Sequence, residues 1–436
     1  MNKDLIEPSR NTKLFMKCVS LFICVFSVSA VWLSATDWPE YRGPNGDGIC
    51  TETPNLNWPA SGPKVLWKAP IKNGFSSFII AEGKAFTQMN RDLEGANREV
   101  CVALNASTGK EIWAVPVGVG IYDGGGDSGT PDNKGGDGPR STPTVSGGNV
   151  YVFNQVLVLF CLDAESGKEL WTKDLIKEHA GRNISWKNAA SPMIDGNLLF
   201  VAGGGPGESL LALNKDTGAV VWKGQDEIMT HATPVVATIL GVRQVIFFLK
   251  SGLVSVAEKD GARLWSFPFR FSTSTAASPV VAGDIVYCSA AYGIGGGACR
   301  ISKGPDGFIA TELYKGEKEI PNHWSTPVVK DGYLYGIFSH KQYGSTPLKC
   351  VELATGKVKW TQPGFGQGNV ILAGDRVVAL TDDGQLVVVK ATSQAYEEVA
   401  RAKVLTGKCW TTPALSDGHL YVRSTKEAAC LDLSGH

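Results

Sequence analysis

The chain contains no C-x-x-C pair, no H-E-x-x-H and no G-x-S-x-G. Those absences remove dithiol redox chemistry, a structural zinc site, the helical zinc-protease site and the serine elbow of the α/β hydrolases. There is no C-x-x-C-H either, so the chain attaches no haem of its own. An excess of either charge is also missing. Lys plus Arg and Asp plus Glu number 42 each, for a formal net charge of zero. That balance argues against nucleic acid or an anionic membrane surface as a partner. Only one long apolar run occurs, residues 18–33, preceded by Arg10, Lys13 and Lys17 and carrying small residues at Ala30 and Ala35 as cleavage points. It reads as a secretory signal peptide, with residues 1–35 removed and the product periplasmic or secreted. The rival reading is a retained anchor in the inner membrane, although 16 residues is short for a span.

What the chain has in quantity is glycine (51), proline (22) and a repeated sentence. CVALNASTGKEIW, ending at Trp113, returns as CLDAESGKELW ending at Trp171 and as LLALNKDTGAVVW ending at Trp222. It recurs as LVSVAEKDGARLW ending at Trp265 and as KCVELATGKVKW ending at Trp360. Each copy is an apolar strand, a polar turn closed by glycine, and a strand ending on tryptophan. A second strand–turn–strand motif precedes the copies, as in RSTPTVSGGNVYVF from Arg140 and WSTPVVKDGYLYGIF from Trp324. Its prolines, Pro143, Pro192, Pro234, Pro279 and Pro327, recur every 42 to 49 residues, and Pro413 follows after 86, two periods. The skipped unit falls near Asn369, where GNVILAGDRVVALTDDGQLVVVKA keeps the pattern without the proline.

Four strands per unit at this period predict an all-β fold of propeller blades, which stack radially because none can bury its faces alone. Unit starts near Phe75, Ser141, Ala190, Ala232, Ala277, Ser325, Gly368 and Thr411 make eight blades. The last unit stops at its turn, CLDLSGH, without a fourth strand. The lone strand KVLWKAPI, residues 64–71, has Trp67 in the closing position and is expected to complete that blade, closing the ring over residues 64–436. Each tryptophan should wedge between blades with its indole N–H on a carbonyl. Residues 36–63 have no periodicity and read as an irregular arm crossing the propeller, its Asn45–Gly48 stretch a turn.

Eight of ten cysteines lie beyond the signal. In an oxidising compartment Cys288 with Cys299, across a glycine-rich excursion, and Cys409 with Cys430 are possible disulfides. Alternatively Cys101, Cys161, Cys350 and Cys430 share one recurring strand position as small buried residues. The largest insertion, residues 118–139, carries Asp123, Asp127, Asp132 and Asp137, weak calcium candidates beside the simpler reading of a glycine-rich loop. If the ring has a pocket, it should lie where inner strands begin around the channel. The residues there are Arg140, Trp186, Lys187, Asn188, His231, His323, Trp324, Gln367 and Trp410. Arg140 could meet a carboxylate and His231 could act as a base, and each could equally be a channel lining that ties blades together.

The A-L-N/D-x-x-T-G-x-x-x-W repeat resembles the tryptophan-docking repeat of the pyrroloquinoline-quinone (PQQ)-like propeller superfamily. That superfamily includes quinoprotein alcohol dehydrogenases and the outer-membrane protein assembly propeller lipoproteins. The lead DWPEYRGPNGDG and the phrase GDGPRSTPTV are similar to exported PQQ-like repeat proteins of planctomycete-type bacteria. For an enzyme, the resemblance implies PQQ with calcium, a tryptophan platform, an aspartate base and an adjacent-cysteine disulfide, and an alcohol or sugar as substrate. This chain has no Cys-Cys pair, and no carboxylate in the corresponding segments matches the base. The expectation is a non-catalytic scaffold binding protein or polysaccharide in the cell envelope, with a PQQ-dependent dehydrogenase as the alternative.

Overall fold

A computed structural model describes residues 37–59, 61–120, 138–338 and 346–434. The segment read as signal peptide or anchor and the four loop aspartates, Asp123, Asp127, Asp132 and Asp137, lie outside the described residues. Among the described residues no helix is long and apolar enough to cross a membrane. Eight sheets, each built on four antiparallel strands, form an eight-bladed propeller. In blade 1 the strands are Ile79–Ala81, Lys84–Leu93, Ala96–Asn105 and Glu111–Val119, from channel to rim. Blade 8 combines the two ends of the chain. Val65–Pro70 pairs antiparallel with Glu427–Asp432, outside His419–Arg423 and Ala414–Ser416.

One motif of packing recurs across the blades. An aromatic residue on the second strand, a small residue opposite it on the third and a tryptophan opposite that on the fourth lie side by side. Examples are Phe86–Ala103–Trp113, Tyr151–Cys161–Trp171 and Tyr421–Cys430–Trp67. The middle residue is Ala or Cys because it sits between two rings in adjacent strands. Cys350 occupies the same place between Tyr335 and Trp360. Cys101 does not: it faces Gln88 and Val115, two residues before Ala103. The shared-position expectation therefore holds for three of the four cysteines.

The indole then reaches the next blade. Trp113 Nε1 donates to the Ala164 carbonyl at 3.1 Å, Trp171 to Lys215 at 3.0 Å and Trp222 to Glu258 at 2.8 Å. Trp67 donates to Ala106 at 2.7 Å, and that bond joins blade 8 to blade 1. In blade 5 Tyr314 substitutes for the indole and its hydroxyl donates to Leu353. Trp265 departs from the pattern, bonding Gln244 within its own blade. The turn glycines have a second reason to be glycine beyond positive φ. A Cβ on Gly261, at φ +71°, would lie 2.5 Å from the ring of Trp222. Gly241, at φ +80°, has open space around it. Gly241→Ala should cost about 1 kcal/mol, the price of left-handed backbone alone. Gly261→Ala should cost about 3 kcal/mol, because the indole must also move. Equal losses in urea titrations of the two variants would refute the docking role.

Blade 5 corrects one reading. The glycine-rich stretch after Gly293 is not a loop: Gly295–Gly304 is the third strand, paired with Ile285–Ala290 and Gly307–Glu317. Its glycines are compatible with a strand because neighbours fill the side-chain space. A Cβ on Gly297 would meet Phe269 at 2.7 Å and one on Gly296 would meet Tyr287 at 2.7 Å. The disulfide expectations are also corrected, since Cys288, Cys299, Cys409 and Cys430 are all free and buried. Cys288 faces Gly297 while Cys299 faces Val286, so the two are diagonal rather than opposite. Cys430 faces Tyr421 and Trp67, and Cys409 lies in the connection before blade 8. Burial pushes the thiols of Cys299 and Cys430 up to about 12, far from thiolate reactivity.

Candidate functional site

The serine or threonine at the position just before the repeat's proline, or before Phe78 in blade 1, binds neighbouring inner strands together. Backbone N–H groups donate to the hydroxyl of the next blade: Thr412 to Ser77 at 3.0 Å, Ser77 to Thr142 at 3.0 Å and Thr142 to Ser191 at 2.9 Å. Ser191 donates to Thr233 and Ser278 to Thr326, both at 2.9 Å. In blade 7 Asn369 stands at this position, and its Nδ2 reaches the Trp410 carbonyl at 2.7 Å. This ring of bonds fixes the backbone around the channel and so fixes what projects into it.

The chain's own arm occupies that channel. Trp38 and Ile80, on the inner strand of blade 1, exchange two backbone bonds of 2.8 and 2.9 Å, and Val145 of blade 2 donates to Pro39 at 2.8 Å. Ile49–Cys50 adds a parallel strand to Asn369–Ala373 of blade 7, making that sheet five-stranded. Blade 7, like blade 1, lacks the repeat's proline, and its Leu372 and Gly374 N–H groups donate to the carbonyls of Gly48 and Cys50. Asp47 turns the arm by accepting from the Ile49 N–H. At the far end the Glu52 carboxylate accepts from the N–H groups of Asp417 and Gly418 in blade 8.

Two buried polar side chains hold the arm inside. Arg42, 2% exposed, donates to the carbonyls of Thr326 at 2.8 Å, Pro327 at 2.9 Å and Asp47 at 2.8 Å. The planar guanidinium fork suits three converging carbonyls. Glu40, also buried, bonds the Ile194 N–H of blade 3. Burial raises its carboxyl well above the usual range, with Asp195 and Asp47 adding to the effect and Arg243 opposing it.

At the opposite mouth the expected residues fall into two groups. In the first, Arg140 donates to the Trp186 carbonyl at 3.0 Å, and the rings of Trp186 and His231 are 6.4 Å apart. Trp186 and Lys187 both have left-handed backbone, at φ +65° and +62°. His231 Nε2 lies 3.0 Å from the Ser185 carbonyl. Burial, then the nearby Arg140 charge, pushes this imidazole down to about 4. It is therefore neutral at pH 7, and Nε2–H donates to the carbonyl. That arrangement ties two blade connections together. Between about pH 6.5 and 4 the unfolded chain takes up a proton that folded His231 refuses. Stability present at pH 7 should be lost over that interval, by roughly 3 kcal/mol at most. His231→Gln should flatten the acid limb of a stability–pH curve, and an unchanged limb would contradict the assignment.

The second group is aromatic. The ring centroids of Trp324 and Trp410 are 4.5 Å apart although blade 7 separates their parent blades, so both project toward the axis. His323 lies 4.8 Å from Trp324. Sequence reasoning missed three members of this cluster. Phe75 stacks on Trp410 at 5.2 Å, Tyr292 meets His323 at 5.1 Å, and Lys408 lies 4.7 Å from the Trp410 ring. Phe75 stands at the register of Arg140, His231, Trp324 and Trp410, and aligning blade 1 without its proline would have found it. Gln367 and Asn188 are structural: the Gln367 carbonyl accepts from Trp324 Nε1, and Asn188 bonds the backbone of Phe153, Asn154 and Ala190. Among the described residues no group of three or more His, Cys, Asp or Glu is placed to hold a metal.

A family model described as outer membrane protein assembly factor BamB matches residues 96–362. The chain is 28% identical over 261 residues to the outer membrane protein assembly factor BamB of Moranella endobia. That match spans 56% of this chain and 63% of the relative, just under two thirds of its length. BamB from Moraxella catarrhalis superimposes with a TM-score of 0.60 at 15% identity, over 86% of this chain and 98% of the other. A quinohemoprotein alcohol dehydrogenase of Pseudomonas putida HK5 gives a TM-score of 0.61 at 12% identity, over 92% and 81%. At such identities the two structures bear on the fold alone.

Proposed function

We propose, from the premise that the chain belongs to the outer membrane protein assembly factor BamB family, that it is an exported, non-catalytic propeller scaffold in the cell envelope. Its partner on this reading is another envelope protein, met through loops or blade edges, and a polysaccharide is the weaker choice. The observation that carries the reading is the filled channel. Arg42 and the Ile49–Cys50 strand use the inner-strand carbonyls and N–H groups that a ligand in the channel would need. Trp324 and Trp410 lie against each other at the other mouth. The name of the Moranella relative, an assembly factor for outer-membrane proteins, favours a protein partner.

Titrating the exported, metal-stripped protein with PQQ, with and without calcium, tests this directly. The expected result is no saturable binding in either condition. One-to-one binding at micromolar affinity or tighter would replace the scaffold with a PQQ-dependent dehydrogenase acting on an alcohol or sugar. In that case hydride would pass from the substrate carbon to the cofactor. A photo-crosslinker at rim position Val221, half exposed on blade 3, should yield discrete protein adducts in intact cells. Adducts only to polysaccharide would transfer the proposal to that partner.

A further inference from the structure

Away from the channel, blade 4 carries a groove of about 480 Å³ alongside its outermost strand, Arg263–Pro268. Its charges are unbalanced in a protein that is neutral as a whole. Arg263 and Glu227 form an ion pair of 2.9 Å, and Ser251 also donates to Glu227 at 2.6 Å, so the groove's one carboxylate is satisfied. Among the described residues Lys250 bonds only the carbonyls of Phe271 and Ser272, with its ammonium 4.5 Å from the Phe271 ring. Arg270 is exposed and has no hydrogen-bond or ion-pair partner among the described residues. Two cations therefore face the groove without an anion. The floor is apolar, built from Phe267 and Phe271. The wall strand is the last of its sheet, so one side of its backbone has no ladder partner.

Resting on the scaffold reading, we infer that this groove docks an acidic, extended segment of a partner protein. An added strand alternates its side chains, so apolar groups at every second position can meet the phenyl floor. Carboxylates at the remaining positions can reach Lys250 and Arg270. A uronic-acid polysaccharide could satisfy the cations, but it offers neither the strand backbone for the open edge nor apolar side chains for the floor.

The test uses the full exported chain and three probes in calorimetric titration. They are an acetylated, amidated hexapeptide alternating Glu and Phe, its Lys and Phe counterpart, and an oligogalacturonate. The Glu–Phe peptide should bind saturably, the Lys–Phe peptide should not, and raising NaCl from about 50 to about 300 mM should weaken binding severalfold. Arg270→Glu, an exposed change that breaks no bond in the fold, should weaken it at least tenfold; the Lys250→Glu variant should do the same. No saturable binding, equal binding of the two peptides, indifference to Arg270→Glu, or preference for oligogalacturonate would each overturn the assignment. Failure here with PQQ still unbound would leave the scaffold standing, whereas PQQ binding would remove the scaffold irrespective of the groove.

Discussion

Trp67→Ala is expected to lower the unfolding free energy by about 4 kcal/mol, the upper range for emptying a buried aromatic site. The side chain is 7% exposed, packs against Phe78 and Tyr421 at 6.4 and 6.1 Å, and donates to Ala106 of blade 1. Trp222→Ala, within the ring, should cost a similar amount in urea titration because its local packing is the same kind. The two variants should differ in hydrogen exchange. Loss of Trp67, unlike loss of Trp222, should loosen Val65–Pro70 from Glu427–Asp432, the strand pairing that completes blade 8 from the two ends of the chain. Amides of Glu427–Asp432 should therefore exchange faster in Trp67→Ala than in Trp222→Ala. Equal exchange there would mean that the closing strand contributes nothing beyond its indole.

The second large effect concerns the plug. Arg42→Ala should destabilise by about 3 kcal/mol, since it strands the carbonyls of Thr326, Pro327 and Asp47 inside the channel. Arg42→Lys keeps the charge but cannot address three carbonyls with a planar fork, so it should recover less than half of the loss. Full rescue by lysine would show that charge alone matters. Limited proteolysis gives an independent reading: in Arg42→Ala, cleavage within residues 37–59 should precede cleavage of any blade. If the arm and the blades are cut together, the arm is an inseparable part of the propeller rather than a plug held by Arg42.

The cluster at the channel mouth was partly legible because it follows the repeat. Arg140, His231, Trp324 and Trp410 occupy one register in alternate units, blades 2, 4, 6 and 8, so the period that finds the blades finds them as well. Tyr292 and Lys408 obey no period and join the cluster only through the way their connections fold over the mouth. Glu40 and Arg42 were invisible for a related reason. A short polar stretch rich in glycine and proline carries no signal of burial, and both residues are buried only because eight blades surround them.

By itself the sequence determined the all-β class, the eight blades, the ring-closing strand at residues 64–71 and the indole wedges, because each is a local pattern repeated at a fixed period. Tertiary structure alone decided that the cysteines stay free, that Gly295–Gly304 is a strand and that the arm fills the channel. Those outcomes depend on which side chains meet across strands and blades distant in sequence. Spacing along the chain does not encode such meetings, whereas packing in three dimensions does.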